Sequence, residues 1–162
     1  MADESVDGRS SRPPTIDDLV ELCGNLNEAG ARYVLIGGFA MAYHGMPRMT
    51  EDIDLLIDPA PENVRRIRDA LSYLPDNAAK DVGDRDVADY TVVRVADEIV
   101  VDLLKQACGV EYKDAVVSIE IVKLKGVSIP VAGIDTMIRT KQGVRARDRE
   151  DLAFLLSLKG RA

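Results

Sequence analysis

The chain has 162 residues, 46% of them hydrophobic and 30% charged, with a formal charge of −7; this is enough apolar material for one core and too little chain for two. No stretch approaches the ~20 apolar residues of a membrane span, and the polar start MADESVDGRSSRPP lacks a signal-peptide core, so a cytoplasmic protein without a membrane role is expected. The acidic balance argues against a general nucleic-acid binder, which displays a basic face.

Residues 1–14 are mostly Ser, Asp, Arg and Pro without periodicity and are expected to be a disordered tail, leaving 15–162 as a single domain. In TIDDLVELCGNLNEAG, Thr15 with Asp18 three residues on has the form of a capping box. Ile16, Leu19, Val20, Cys23 and Leu26 make one apolar stripe, so a helix is predicted up to about Gly30. RYVLI reads as a strand broken by Gly37 and Gly38, FAMAYHG as a short helix ended by Gly45, and EDIDLLID as a second strand. Pro59 and Pro61 open another helix, with Val64, Ile67, Leu71 and Leu74 at helical spacing.

After the polar loop LPDNAAKDVGDRD, YTVVRV and EIVVDLL form a predicted hairpin turning through Ala96 and Asp97. VSIEIVKLKGVSIPV is a second strand pair turning at Lys125 and Gly126. IDTMIRTKQG and RDREDLAFLLSLKG are helical, with Asp148 as the expected N-cap of the last helix. The fold class implied is α/β (α+β), a small mixed sheet with flanking helices and a helical C-terminal end.

Chemistry concentrates at a few positions. Residues i and i+2 of a strand share a face, so Asp52 and Asp54 project together with Cα atoms roughly 6.6 Å apart. Asp102 is the one acid in the apolar run from Ile99 to Leu104, and if its strand lies beside that of Asp52 the three carboxylates can hold two metals. Oxygen ligands of this kind suit Mg²⁺ or a similar hard cation. Gly37 and Gly38 would let the backbone approach phosphates without a Cβ in the way, with the following helix start supplying amide donors. Taken singly, the DxD is equally a solvated strand edge and the GG doublet simply a turn.

Charge is uneven along the chain. Seven acidic residues and only Arg85 and Arg94 lie between Asp81 and Asp102, whereas IRTKQGVRARDR carries five basic residues against Asp148. Arg48 and Thr50 could meet a triphosphate or could equally be a surface arginine and a strand threonine. Arg139, Arg145, Arg147 and Arg149 read as a solvated helix face or as phosphate or RNA contacts. His44, the single histidine, reads as a helix-end cap rather than a base; Tyr33, Tyr43 and Tyr90 read as packing rather than base stacking; Cys23 and Cys108 read as reduced thiols without a zinc site.

GG at 37–38, a short helix, thirteen intervening residues, DID at 52–54 and a later strand Asp at 102 resemble the nucleotidyltransferase superfamily of polymerase-beta-like fold. GGFAMAYHGMPRMTEDIDLLI together with IDTMIRTKQGVRARDREDLAFL is similar to its small prokaryotic branch, which includes AbiEii-type toxins and minimal nucleotidyltransferases. The resemblance implies transfer of a nucleoside monophosphate from an NTP to an acceptor with two Mg²⁺ or Mn²⁺ ions. By the same resemblance Asp52, Asp54 and Asp102 are metal ligands and catalytic acids, Gly37 and Gly38 a phosphate-contacting pair, and Lys141 a phosphate-directed lysine. The acceptor is left open among a partner toxin or antitoxin protein, RNA and a small molecule. The alternative is a catalytically weak NTP-binding or antitoxin module acting through a partner protein.

Overall fold

The computed structural model describes residues 10–160. Helix α1 (Ile16–Glu28) opens with the expected capping box: the Thr15 hydroxyl accepts from the Asp18 N–H at 3.2 Å, and Asp18 accepts from the Thr15 N–H at 2.7 Å. Its buried stripe is Leu19, Leu22, Cys23 and Leu26, while Ile16 at the helix start is about half exposed. The stripe is therefore rotated toward Leu22 relative to the sequence reading. The expected disordered tail is corrected at its end: Ser11 donates to the Asp97 carbonyl and the Arg12 N–H to the Glu98 carbonyl, and the Arg12 guanidinium grips Asp18. Residues 1–9 lie outside the described residues.

The remaining elements are β1 (Tyr33–Ile36), α2 (Gly37–Tyr43), β2 (Asp52–Ile57), α3 (Pro61–Ala70), a short α4 (Asp86–Asp89), β3 (Val92–Ala96), β4 (Val100–Leu104), a minimal hairpin of β5 (Gln106–Ala107) and β6 (Val110–Glu111), α5 (Tyr112–Ala115), β7 (Ile119–Leu124), β8 (Val127–Ala132), α6 (Ile134–Thr140) and α7 (Ala146–Lys159). Six strands form one mixed sheet in the order β3-β4-β2-β1-β8-β7. β2 runs antiparallel to β1 and parallel to β4, and β1 runs parallel to β8.

Apolar residues fill the central strands because both sheet faces are covered there. Val34, Ile53, Leu55, Leu56, Ile57 and Val101 have no exposed surface, and α1 and α3 add Leu22, Leu26 and Ile67 to the same core. Lys125 and Gly126 both have positive φ, the geometry of a two-residue hairpin turn, and join β7 to β8 as expected. Cys108 and Gly109 do the same between β5 and β6, a hairpin absent from the sequence reading.

One turn is placed differently. The β3–β4 hairpin turns through Asp97–Ile99 rather than Ala96–Asp97, because the Asp97 carboxylate is buried and accepts from the N–H groups of Asp76, Ala78 and Glu98. That shift puts Arg94 opposite Asp102; a two-residue turn at 96–97 would have put it opposite Ile99. No helix among the described residues is long and apolar enough to cross a membrane.

Candidate active site

A single row of the sheet assembles the site. Ile36 on β1 pairs with Asp54 on β2, Asp54 with Asp102 on β4, and Asp102 with Arg94 on β3. Asp52 lies two residues before Asp54, on the same face by the pleat, while Ile53 points the other way into the core with no exposed surface. One ligand atom from each of Asp52, Asp54 and Asp102 lies within 4.8 Å of the others. All are carboxylate oxygens, the donor set that suits a hard divalent ion such as Mg²⁺ or Mn²⁺, so the trio fits such an ion.

Gly37 and Gly38 begin α2 directly after Ile36. Gly37 has φ +74°, and a Cβ there would overlap Asp54 Oδ2 and stand 2.9 Å from Asp54 Cβ and Cγ. At Gly38 a Cβ would overlap Thr50 Cγ2. The doublet is thus required by the close approach of the strand-loop carboxylate and threonine, a packing reason that stands beside any contact with phosphate.

Crowding sets the electrostatics. Burial, with repulsion from Asp52 and Asp102, pushes the Asp54 carboxyl up to about 7 despite the nearby Lys141 charge. Burial and Asp102 likewise raise Asp52, partly offset by Arg94. Arg94 donates from Nε and Nη2 to the two oxygens of Asp102, each at 2.9 Å, and from Nη2 to Asp52 Oδ2 at 3.2 Å.

A second polar cluster borders the same cleft of about 590 Å³, which is lined by the three acids and, among others, by Gly37, Gly38, Arg48, Thr50, Lys141, Arg145 and Arg147. Its centre is Asp151 on α7, which has no exposed surface. Arg48 holds both Asp151 oxygens, and Lys141 Nζ lies 3.0 Å from Oδ2. Burial alone would raise the Asp151 carboxyl, but Arg48 and Lys141 hold it below the ordinary value. Arg145 clamps Asp148 with two bonds of 3.0 Å, and Lys141 Nζ stands 4.0 Å from Asp148. Asp148 is therefore an ion-pair partner inside the first turn of α7, whose N-cap is Arg145; the expected N-cap role is corrected, since the helix begins at Ala146.

The eight residues assigned from the sequence to the metal and nucleotide site, Gly37, Gly38, Arg48, Thr50, Asp52, Asp54, Asp102 and Lys141, line this one cleft. His44 sits at the end of α2 with its ring Nε2 2.8 Å from the Ala132 carbonyl, and Tyr33 is buried against Asn27; neither borders the cleft. The sequence reading passed over Arg94, Asp148 and Asp151 as partners. No local signal marked Arg94, since the turn expected from the sequence sets a different register, and Asp151 sat in the charged run RDRED with nothing to separate it from its neighbours.

The six-stranded mixed sheet with flanking helices is a nucleotidyltransferase-like fold. Two solved structures share it: a proposed nucleotidyltransferase from Thermotoga maritima, TM-score 0.56 at 16% identity, covering 96% of this chain and 99% of its own, and an antigenic nucleotidyltransferase-like protein from Paracoccidioides brasiliensis, TM-score 0.57 at 16% identity, covering 93% of this chain and 79% of its own. No curated protein matches the sequence at a significant level. Residues 22–153 match the family model described as nucleotidyl transferase AbiEii toxin, type IV toxin–antitoxin system. The chain belongs to the AbiEii nucleotidyltransferase family.

Proposed function

We propose that this protein is a cytoplasmic, metal-dependent nucleotidyltransferase that moves a nucleoside monophosphate from an NTP to an acceptor, a protein, an RNA or a small molecule, in a toxin–antitoxin setting with a partner protein. The observation that carries the reading is the convergence of Asp52, Asp54 and Asp102 beside the Gly37–Gly38 turn, in a cleft that Arg48 and Lys141 also line.

Mg²⁺ or Mn²⁺, when bound, supplies charge neutralisation at the transferring phosphate and lowers the cost of the developing negative charge. Asp52 and Asp54, with Asp102, would hold it. Lys141 and Arg48, fixed by the buried Asp151, are placed to take the triphosphate charge without reorganising during reaction. The glycine doublet leaves backbone rather than side chain at the phosphate side of the cleft. Asp102 accepts the proton of the acceptor hydroxyl; the acceptor oxygen bonds to the α-phosphorus, the α–β bridging P–O bond breaks, and pyrophosphate leaves.

The test is incubation of the protein with labelled ATP, CTP, GTP and UTP in Mg²⁺ or Mn²⁺, following pyrophosphate release and label transfer to the protein itself, to bulk RNA and to small hydroxyl compounds. Release with at least one nucleotide, abolished by Asp52→Asn, is the expected result. A protein that binds nucleotide yet releases no pyrophosphate under any of these conditions would favour the weak NTP-binding or antitoxin module.

A further inference from the structure

Arg94 is bonded to two of the three acids that would hold a cation. It engages both oxygens of Asp102 and one of Asp52, and it leaves Asp54 untouched. The two partners differ in freedom. Asp102 lies in a central strand with a 9% exposed side chain, whereas Arg94 is on the edge strand β3 with its side chain 59% exposed. The acid is held in place; the guanidinium has open solvent to turn into.

Charge balance explains why a cation is built in. Three carboxylates within 4.8 Å of one another repel strongly in a partly buried cleft, and a guanidinium offers the planar, bidentate match to a carboxylate that keeps the empty arrangement stable. A divalent ion between the same oxygens would stand within a few ångströms of that guanidinium and be repelled by it. Arg94 and an ion on Asp102 are therefore competitors for the same negative charge.

We propose that Arg94 is an internal counter-cation that keeps Asp102 out of metal coordination in the nucleotide-free protein and releases it when metal and nucleotide enter together. This inference rests on the metal-dependent reading above and adds an order of events to it. Asp54 and the second oxygen of Asp52 are available first, and Asp102 becomes available as ligand and proton acceptor only once Arg94 has turned away. Arg94 is thus a positioning residue, acting through Asp102.

The experiment titrates the full-length protein with Mn²⁺ alone, without nucleotide, and reads bound against free ion by electron paramagnetic resonance. The wild type is compared with Arg94→Gln, Arg94→Lys and the Arg94→Gln/Asp102→Asn double variant. Arg94→Gln should bind Mn²⁺ roughly tenfold more tightly than the wild type, the scale on which one neighbouring unit charge acts across a partly solvated cleft. The gain should vanish in the double variant. Arg94→Lys, which keeps the charge but cannot bridge both oxygens of Asp102, should fall between, and it gives the same reading if Arg94→Gln does not fold. Equal or weaker Mn²⁺ binding in both single variants overturns the role of Arg94; if the wild type still binds Mn²⁺ when an NTP is added, the metal-dependent reading survives that failure. Absence of Mn²⁺ binding in every protein, with and without NTP, overturns both.

Discussion

Gly37 leaves open the space that the Asp54 carboxylate fills: a Cβ at residue 37 would overlap Asp54 Oδ2, and the backbone there is left-handed at φ +74°. Gly37→Ala therefore meets two penalties. The conformational one is on the order of 1–2 kcal/mol, and the overlap adds to it by pushing Asp54 out of the trio. Denaturant unfolding should show a lower midpoint, and Mn²⁺ binding should weaken with it.

Gly38 offers a cleaner test, since its φ is not in the left-handed region and the main obstacle is one methyl, Thr50 Cγ2, with Thr50 Cβ next at 3.3 Å. Gly38→Ala should destabilise, and Thr50→Ser, which removes that methyl, should recover most of the loss in the double variant. Additive losses, rather than recovery, would contradict the contact.

Asp54 couples stability to pH. Burial and the neighbouring Asp52 and Asp102 push its carboxyl from the ordinary 3.8 up to about 7 in the folded protein. Between those values the folded state holds a proton that the unfolded state has lost, so stability contributed by this site is highest below about pH 4, falls as pH rises toward 7 and levels off above it. Asp54→Asn should remove that slope. Thermal melts of the metal-free proteins from pH 4 to 8 measure it; Mn²⁺ affinity should rise over the same window, because the ion displaces the proton.

Asp151 is the keystone of the basic wall. Asp151→Ala leaves Arg48 and Lys141 without their shared carboxylate, and removing one partner from a buried ion cluster costs about 3 kcal/mol or more. A substantially lower unfolding midpoint is expected. Lys141→Ala leaves Asp151 with Arg48 and should weaken NTP binding, read by calorimetry, while costing less stability.

Asp52→Asn and Asp54→Asn should each lower pyrophosphate release by orders of magnitude with circular dichroism unchanged, since catalysis of phosphoryl transfer is chiefly positioning and charge neutralisation. Mg²⁺ with a productive NTP should raise the melting temperature of the wild type by mass action and raise that of the variants less.

The sequence by itself determined the strand carrying Asp52 and Asp54, because period-2 alternation with Ile53 puts both acids on one face whatever surrounds them. It determined the capping box at Thr15 and the Lys125–Gly126 turn, since both depend on neighbours within a few residues. It carried the family resemblance, because the doublet and the DxD lie close together in the chain. Only the tertiary structure decided what meets across distance. Asp102 joins the trio because β4 lies parallel to β2 with Asp102 beside Asp54, a pairing that periodicity cannot specify. Arg94 reaches Asp102 because the buried Asp97 carboxylate, bonded to Asp76 and Ala78 nineteen or more residues away, moves the hairpin turn and with it the register. Asp151 read as one more acid on a charged helix, and became the buried partner of Arg48 and Lys141 because α7 folds back over the loop after α2. Local rules fix the direction in which a side chain points; burial and long-range pairing choose what it points at.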